Sequence, residues 1–395
     1  MIRRLAFPAL LLPLCFAAAA LAATPGVTDT EVTIGITGPL SGPAAAWGTI
    51  ALASEAYAKV VNDAGGVHGR KLKIVLKDDG YNPGRAVANV NELKDSAFAV
   101  VGLLGTAVIN ANKDLVAESG LPIVEPLGNV QIFAKQDKQK NRSVFQIYPD
   151  YTDEGEFLVQ QAVKLTGAKK IGFFGQNDDY GKGGLEGLKR GLAKIAGAKL
   201  VGHVLYEVTE RELATHALKL KESGADAVLL YSTATHAAGL VKEMAKVGFK
   251  PKLFASFTLL DRDTMFRLLG DLWEGAYFDS AIALRGEAAA DKAIAAVIAV
   301  EPKLKGREGF CVQGVVNMQL LVEGLQRAGK DLTRAGFLKA LEGLKDYDAG
   351  GLFPAFSFGP ERHHGLNTVR LMRAGKAADA TVEQVTGWQT FPSHF

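Results

Sequence analysis

Apolar positions along this chain switch repeatedly between two periods, which predicts strands alternating with helices. Val32-Thr33-Ile34-Gly35-Ile36 predicts a strand, stopped by the turn residues Gly38-Pro39-Leu40-Ser41-Gly42-Pro43. From 48 to 64 the apolar side chains of Ile50, Ala53, Tyr57, Val60 and Val61 follow helical spacing, which Gly65-Gly66 ends. Leu72, Ile74 and Leu76 then alternate with Lys71, Lys73 and Lys77, a strand with one exposed edge or face. A helix over 83–94 follows. Residues 98–103 are nearly all apolar, as a strand buried inside a parallel sheet requires, and a helix over 110–119 and a strand over 122–124 continue the series.

After Tyr148-Pro149 the alternation resumes. Helices are expected at 154–165, 185–196, 213–221 and 237–247, with strands at 170–174, 200–208, 227–231 and 252–255. The last third differs. Helices at 289–299, 314–328 and 332–344 bring no strands of their own, so they must cover an existing sheet. Residues 355–358 and 369–372 are strand-like around a Gly-Pro/His-His turn. The chain is therefore expected to cross between two α/β units more than once, and several crossovers make a hinge.

The length of 395 residues suits two such units, and 48% hydrophobic content excludes disorder. Arg3-Arg4, an apolar run from Leu5 to Phe16 and an Ala-Leu-Ala ending have the parts of a secretory signal peptide over 1–22. A retained membrane anchor would need about 20 apolar residues, and Pro8, Pro13 and the small-residue tail argue against it. Removing that segment lowers Lys+Arg from 45 to 43 against 42 acids, so the net charge falls from +3 to +1. No basic nucleic-acid surface is favoured. Cys15 leaves with the segment, and Cys311 remains as a core thiol without a disulfide partner.

The stretch 38–48 carries the most chemistry. It leaves the carboxyl end of the first strand and opens a helix, where open α/β sheets place ligands. Helix amides there suit an anion, and Trp47 supplies a flat apolar wall or, more plainly, a core side chain. This stretch, the following helix and Asn62-Asp63-Ala64-Gly65-Gly66-Val67-His68-Gly69-Arg70 resemble the branched-chain amino-acid (Leu/Ile/Val) binding proteins, the solute receptors of ABC importers. Asp78-Asp79, the run from Asn177 to Gly183 and Gly248-Phe249 fall in similar order.

The resemblance implies the type I periplasmic binding-protein fold: α/β, with two doubly wound lobes joined by a multi-crossover hinge. It implies lobes over 27–147 plus 281–352 and 148–280 plus 353–395. It puts Trp47 on the pocket wall and Thr106, within Gly105-Thr106-Ala107, on the ligand carboxylate. On its own Thr106 would be read as a helix N-cap. Gly128-Asn129 matches a second ligand loop, and Tyr180 matches an aromatic that closes from the other lobe.

Departures from the pattern bear on the ligand. Where the family's amino-acid binders hold a carboxylate for the ligand ammonium, this chain has Phe257, and Thr233-Ala234 replaces an aromatic. A buried ammonium without a counter-charge is costly. The expected ligand is thus a small carboxylic acid, aromatic in one version, or a neutral amide; Asp261 or Asp263 would keep an amino acid open if the register shifts. Tyr81 and Gly105 stand where a family disulfide would fall.

Other chemistry is sparse. Gly181-Lys182-Gly183-Gly184-Leu185-Glu186-Gly187 is a near-miss to a dinucleotide loop and reads better as a glycine-rich helix start beside the pocket. His363-His364 reads as a solvated loop and Asp78-Asp79 as a solvated strand end, so no metal site and no cofactor are expected. Without a hydrolase elbow or metalloprotease motif, no enzyme is expected. The expectation is a monomeric periplasmic receptor that closes over a small solute through Trp47, Thr106, Asn129, Tyr180, Thr233 and Phe257 and meets an ABC permease. A ligand-sensing module of the same fold is the alternative.

Overall fold

Five parallel strands form the first sheet, in the order β2-β1-β3-β4-β5. They are β1 (Glu31–Gly38), β2 (Lys71–Asp78), β3 (Ala99–Val101), β4 (Ile123–Val124) and β5 (Val144–Phe145). Between them run α1 (Gly48–Asp63), α2 (Pro83–Ser96), α3 (Thr106–Ser119) and the single turn α4 (Gln131–Ala134). The computed structural model describes residues 24–395, and the expected signal segment over 1–22 lies outside them. β3 is buried on both faces, whereas β2, with its alternating lysines, is the outer strand, because an edge tolerates and benefits from charge.

The second lobe is built from α5 (Tyr151–Thr166), β6 (Lys170–Gln176), α6 (Asp179–Leu192), β7 (Lys199–Tyr206), α7 (Ala214–Glu222), β8 (Ala227–Tyr231), α8 (Ala234–Lys246), β9 (Lys252–Ala255), α9 (Arg262–Leu269) and β10 (Tyr277–Ser280). Asp150 starts α5 by accepting the amides of Thr152 and Asp153, and Gly167 ends it at φ +68°, an N-cap and a left-handed C-cap.

From β10 the chain returns to the first lobe. There α10 (Ala288–Val300) and α11 (Cys311–Ala328) lie beside α1 and each other, and α12 (Arg334–Glu342) packs on α11. Ser54 on α1 donates to the Gly314 carbonyl of α11, and Arg334 ties α12 to the carbonyls of Lys94, Ala97 and Phe98. The chain then crosses back to add β11 (Thr368–Ala374), β12 (Val382–Gln384) and β13 (Gln389–Thr390) to the second sheet, whose order is β12-β11-β10-β9-β8-β6-β7, with β13 also on β11. β11 runs antiparallel to β10, unlike the parallel strands before it.

Several local expectations change. Residues 355–358 form no strand; Phe356 makes one bridge to Tyr347, and its ring joins those of Phe353 and Phe358. α9 carries Arg262, Asp263 and Arg267 within eight residues, which hides its apolar face in the sequence. His363-His364 is no solvated loop. Both are buried: His363 stacks on Phe145 at 4.0 Å, and His364 donates to the Tyr148 carbonyl at 2.9 Å. Burial pushes the His364 imidazole down to about 4, so it stays neutral there. Cys311 is fully buried.

Candidate functional site

The carboxyl ends of the strands face each other across the gap between the lobes, and a cavity lies there. On one side it is lined by Trp47 and Ile50 at the start of α1, Tyr81 after β2, Leu104 and Gly105 between β3 and α3, and Thr106 as the first residue of α3. Leu127, Phe310 and Gln313 complete that wall. The other wall holds Tyr148 and Tyr151 at the hinge, Tyr180 at the start of α6, and Phe257, Thr258 and Leu260 after β9. Seven of these fifteen residues are aromatic, and none is Asp, Glu, Lys, Arg or His.

Tyr81 is positioned by the turn that follows β2. Asp79 is buried, against the expectation of a solvated strand end. Its carboxylate accepts the Thr37 hydroxyl at 3.0 Å and the Tyr81 amide at 2.8 Å. These bonds hold Tyr81 at φ +61°, an unusual conformation for an aromatic residue. Its ring crosses that of Trp47 edge to face, with centroids 5.6 Å apart. The ring also explains Gly105, whose φ is +111°: a Cβ there would sit 2.6 Å from Tyr81 Cε2. At the two positions where the family's disulfide would fall, an aromatic ring lies on a glycine.

Thr106 resolves its two readings through its partners. Gly105, not Thr106, is the N-cap of α3 and offers no side chain. The Thr106 hydroxyl accepts the Asn129 amide from the next loop at 3.1 Å, which leaves its own proton free to donate. The first amides of α3 have no acceptor within their helix, and no side chain caps them. A hydroxyl donor and open helix amides together suit a carboxylate or an amide carbonyl.

Other expected ligand residues lie elsewhere. Asn129 is outside the lining; its carbonyl oxygen caps Gln131 and its amide nitrogen donates to the Asp179 carbonyl of the second lobe at 2.7 Å. Gly128 lies behind Thr106, and Ala107 is half-buried but also outside the lining. Thr233 caps α8 and pairs with His236 Nδ1 at 2.7 Å. Asp261 caps α9 and Asp263 pairs with Arg285, so neither supplies the charge that Phe257 lacks. Burial raises the phenols of Tyr81, Tyr148, Tyr151 and Tyr180, which remain neutral hydroxyls.

The lobes are closed on one another. Trp47 Nε1 donates to the Thr258 carbonyl at 3.0 Å, and Gln176 Nε2 donates to the Tyr81 hydroxyl at 3.3 Å. Tyr151 stacks on Phe257 within the second wall. Trp47→Phe keeps a ring but removes the indole donor, so the closed state is expected to lose about 0.5–1.5 kcal/mol. Ligand titrations should then read a dissociation constant several-fold higher, with the melting temperature of the unliganded chain little changed.

A family model described as periplasmic binding protein matches residues 31–379. The chain belongs to the periplasmic binding protein family. Among its relatives is Leu/Ile/Val-binding protein homolog 3 of Brucella melitensis, 27% identical over 330 residues that cover 82% of this chain and 87% of the relative. Two solved structures share the fold. A branched chain amino acid ABC transporter protein from Thermus thermophilus with bound valine superposes with TM-score 0.83 at 17% identity, covering 93% of this chain and 98% of that one. A fatty acid ABC transporter substrate-binding protein from Thermomonospora curvata superposes with TM-score 0.81 at 24% identity, covering 94% and 95%. The resemblance read from the sequence and the two-lobed fold therefore hold for this periplasmic binding protein. Such different solutes on one fold leave the ligand to be argued from the cavity itself.

Proposed function

We propose that this chain is a periplasmic receptor that closes over a small monocarboxylate or amide with a mainly aromatic or apolar body and presents it to an ABC permease. The observation that carries this reading is the wall chemistry: seven aromatic rings and no charged side chain. An α-amino acid would bring an ammonium into that setting without a counter-charge, a penalty of several kcal/mol. A carboxylate instead meets the Thr106 hydroxyl and the open amides of α3, while Trp47, Tyr180 and Phe257 cover its body. Export through residues 1–22 belongs to the same reading.

Closure is the working step. In the closed state the cavity has a volume of only about 30 Å³, so the route for a solute is separation of the lobes. A ligand that touches both walls gains contacts only when they meet, which shifts the equilibrium toward the closed form. The deciding experiment is calorimetric titration with benzoate, phenylacetate and benzamide beside leucine and valine. At least one of the aromatic compounds is expected to bind at least about 100-fold more tightly than either amino acid, the worth of roughly 2.7 kcal/mol. Tight leucine binding with no response to the organic acids would overturn the ligand class. Small-angle scattering of the same samples should show a smaller radius of gyration at saturation.

A further inference from the structure

Behind the Phe257 wall, where no ligand reaches, two carboxyl groups face each other. Glu154, on the first turn of α5, and Asp279, on β10, are both fully buried. Glu154 Oε1 accepts the Phe257 amide at 2.9 Å. Its Oε2 and both oxygens of Asp279 have no donor among the described residues, although the two carboxyls are within hydrogen-bonding reach of each other. No cation pairs with either acid among the described residues. Two ionised carboxylates in that position would repel at close range in a medium of low polarity. One proton turns the same geometry into an O–H···O bond and supplies the missing donor.

The groups that face the pair offer no positive charge. They are Tyr231 from β8, Ser256 after β9, Tyr180 from α6 and Tyr148 and Tyr151 at the hinge. On β11 the residue opposite Asp279 is Leu371; Arg370 lies opposite Ser280, on the other face by strand alternation, and is held by Glu287. Glu125 is a separate buried acid of the first lobe, engaged with the Ile147 amide at 2.7 Å.

We infer that Glu154 and Asp279 form a proton-sharing pair that positions the Phe257–Leu260 wall, so that ligand affinity depends on a proton held outside the cavity. The segment is fixed from both sides: Glu154 holds the Phe257 amide from behind, while Trp47 and Tyr180 hold Thr258 through its carbonyl and hydroxyl. Glu154 and Asp279 are positioning residues, since neither lines the cavity. The inference rests on the proposed function only in taking this cavity as the ligand site.

Burial, opposed by the contact with Asp279 and the hydrogen bond from the Phe257 amide, moves the Glu154 carboxyl up to about 7, and burial beside Glu154 moves Asp279 well above its ordinary range. A carboxyl whose folded value is raised stabilises the fold fully below its unfolded value, and that contribution is lost as pH rises through the folded value. The pair's contribution to wild-type stability should therefore fall from about pH 4.5 through 7 and above.

The test uses the full chain without ligand and then with benzoate as probe. Melting temperature is followed from pH 5 to 9 for wild type, E154Q, D279N, the double variant and E125Q. The pair predicts that E154Q and D279N each remove the same part of the wild-type slope, that the double variant removes no more, and that E125Q removes a different, additive part. Infrared difference spectra should show a protonated carboxyl band at neutral pH that E154Q or D279N abolishes. With benzoate, the wild-type dissociation constant should rise about 10-fold between pH 6 and 9, while E154Q, whose amide keeps the acceptor for Phe257, has one value throughout. Wild-type slopes retained in both single variants, or no protonated band, would overturn the pair. A benzoate affinity that stays flat with pH in wild type would overturn the coupling to the wall. If benzoate does not bind, phenylacetate or benzamide replaces it as probe, and if none of the three binds the ligand reading fails while the unliganded melts and spectra still decide the pair.

Discussion

Thr106→Val is expected to weaken binding of the aromatic monocarboxylate by about 10- to 100-fold, while Thr106→Ser leaves it within about 3-fold. The hydroxyl has two jobs that this pair of variants separates from the methyl group. Its oxygen accepts the Asn129 amide at 3.1 Å, which fixes the direction of its remaining proton. That proton is a neutral side-chain donor placed at the uncapped start of α3. Bonds to an ionised ligand are worth about 1.5–3 kcal/mol each, hence the expected range. Valine also strands the Asn129 amide, which is buried, so thermal unfolding should register a further loss of about 1–3 kcal/mol. Calorimetry at a temperature well below both transitions keeps the two effects apart. Retained affinity in Thr106→Val would show that the helix amides alone carry the ligand head group, and the hydroxyl would then be a structural acceptor only.

How far the sequence led depends on whether a signal was local. Periodicity located most helices and strands, because a buried strand such as β3 and an edge strand such as β2 carry their environments in their own residues. Trp47, Thr106 and Tyr180 were legible from their place at strand ends and from the family pattern, and all three line the cavity. Asn129 and Thr233 had the right position and the wrong direction: residue type and spacing say nothing about which neighbour takes a side chain's hydrogen bonds, here Asp179 and His236. Tyr148, Tyr151, Phe310 and Gln313 were missed because they arrive from the hinge and from α11, far from the motifs in sequence. A signal for the tyrosines existed in their spacing of three across the Tyr148-Pro149 break. His363 and His364 sit in a polar, turn-like stretch, yet Phe145, Glu342 and Tyr148 enclose them, and only the third dimension supplies those contacts.

The glycine-rich start of α6 gives the largest expected effect on stability. Gly187→Ala should lower the unfolding free energy by about 2–3 kcal/mol and Gly187→Leu by more, with the melting temperature falling accordingly. On an ordinary helix the alanine variant would gain up to about 1 kcal/mol, since glycine is the poorer helix former, so the sign of the change is itself the test. The reason is the contact between α5 and α6. A Cβ on Gly187 would sit 2.1 Å from the Thr152 carbonyl oxygen, and one on Gly155 would sit 2.4 Å from that of Gly184. These are backbone atoms, which cannot swing aside as a long side chain could. Gly184 in turn lies under the Tyr231 ring, 2.4 Å from where its Cβ would be. The sequence Gly181-Lys182-Gly183-Gly184-Leu185-Glu186-Gly187 thus does not cradle a phosphate; it lets two helices touch along their backbones. Because α6 begins with Asp179 and Tyr180, pushing it outward also moves the Tyr180 ring and the carbonyl that Asn129 grips across the lobes. Gly187→Ala should therefore lose ligand affinity as well as stability. A variant with unchanged or raised melting temperature would show that α6 has room to shift, and the close approach would then not be what these glycines are for.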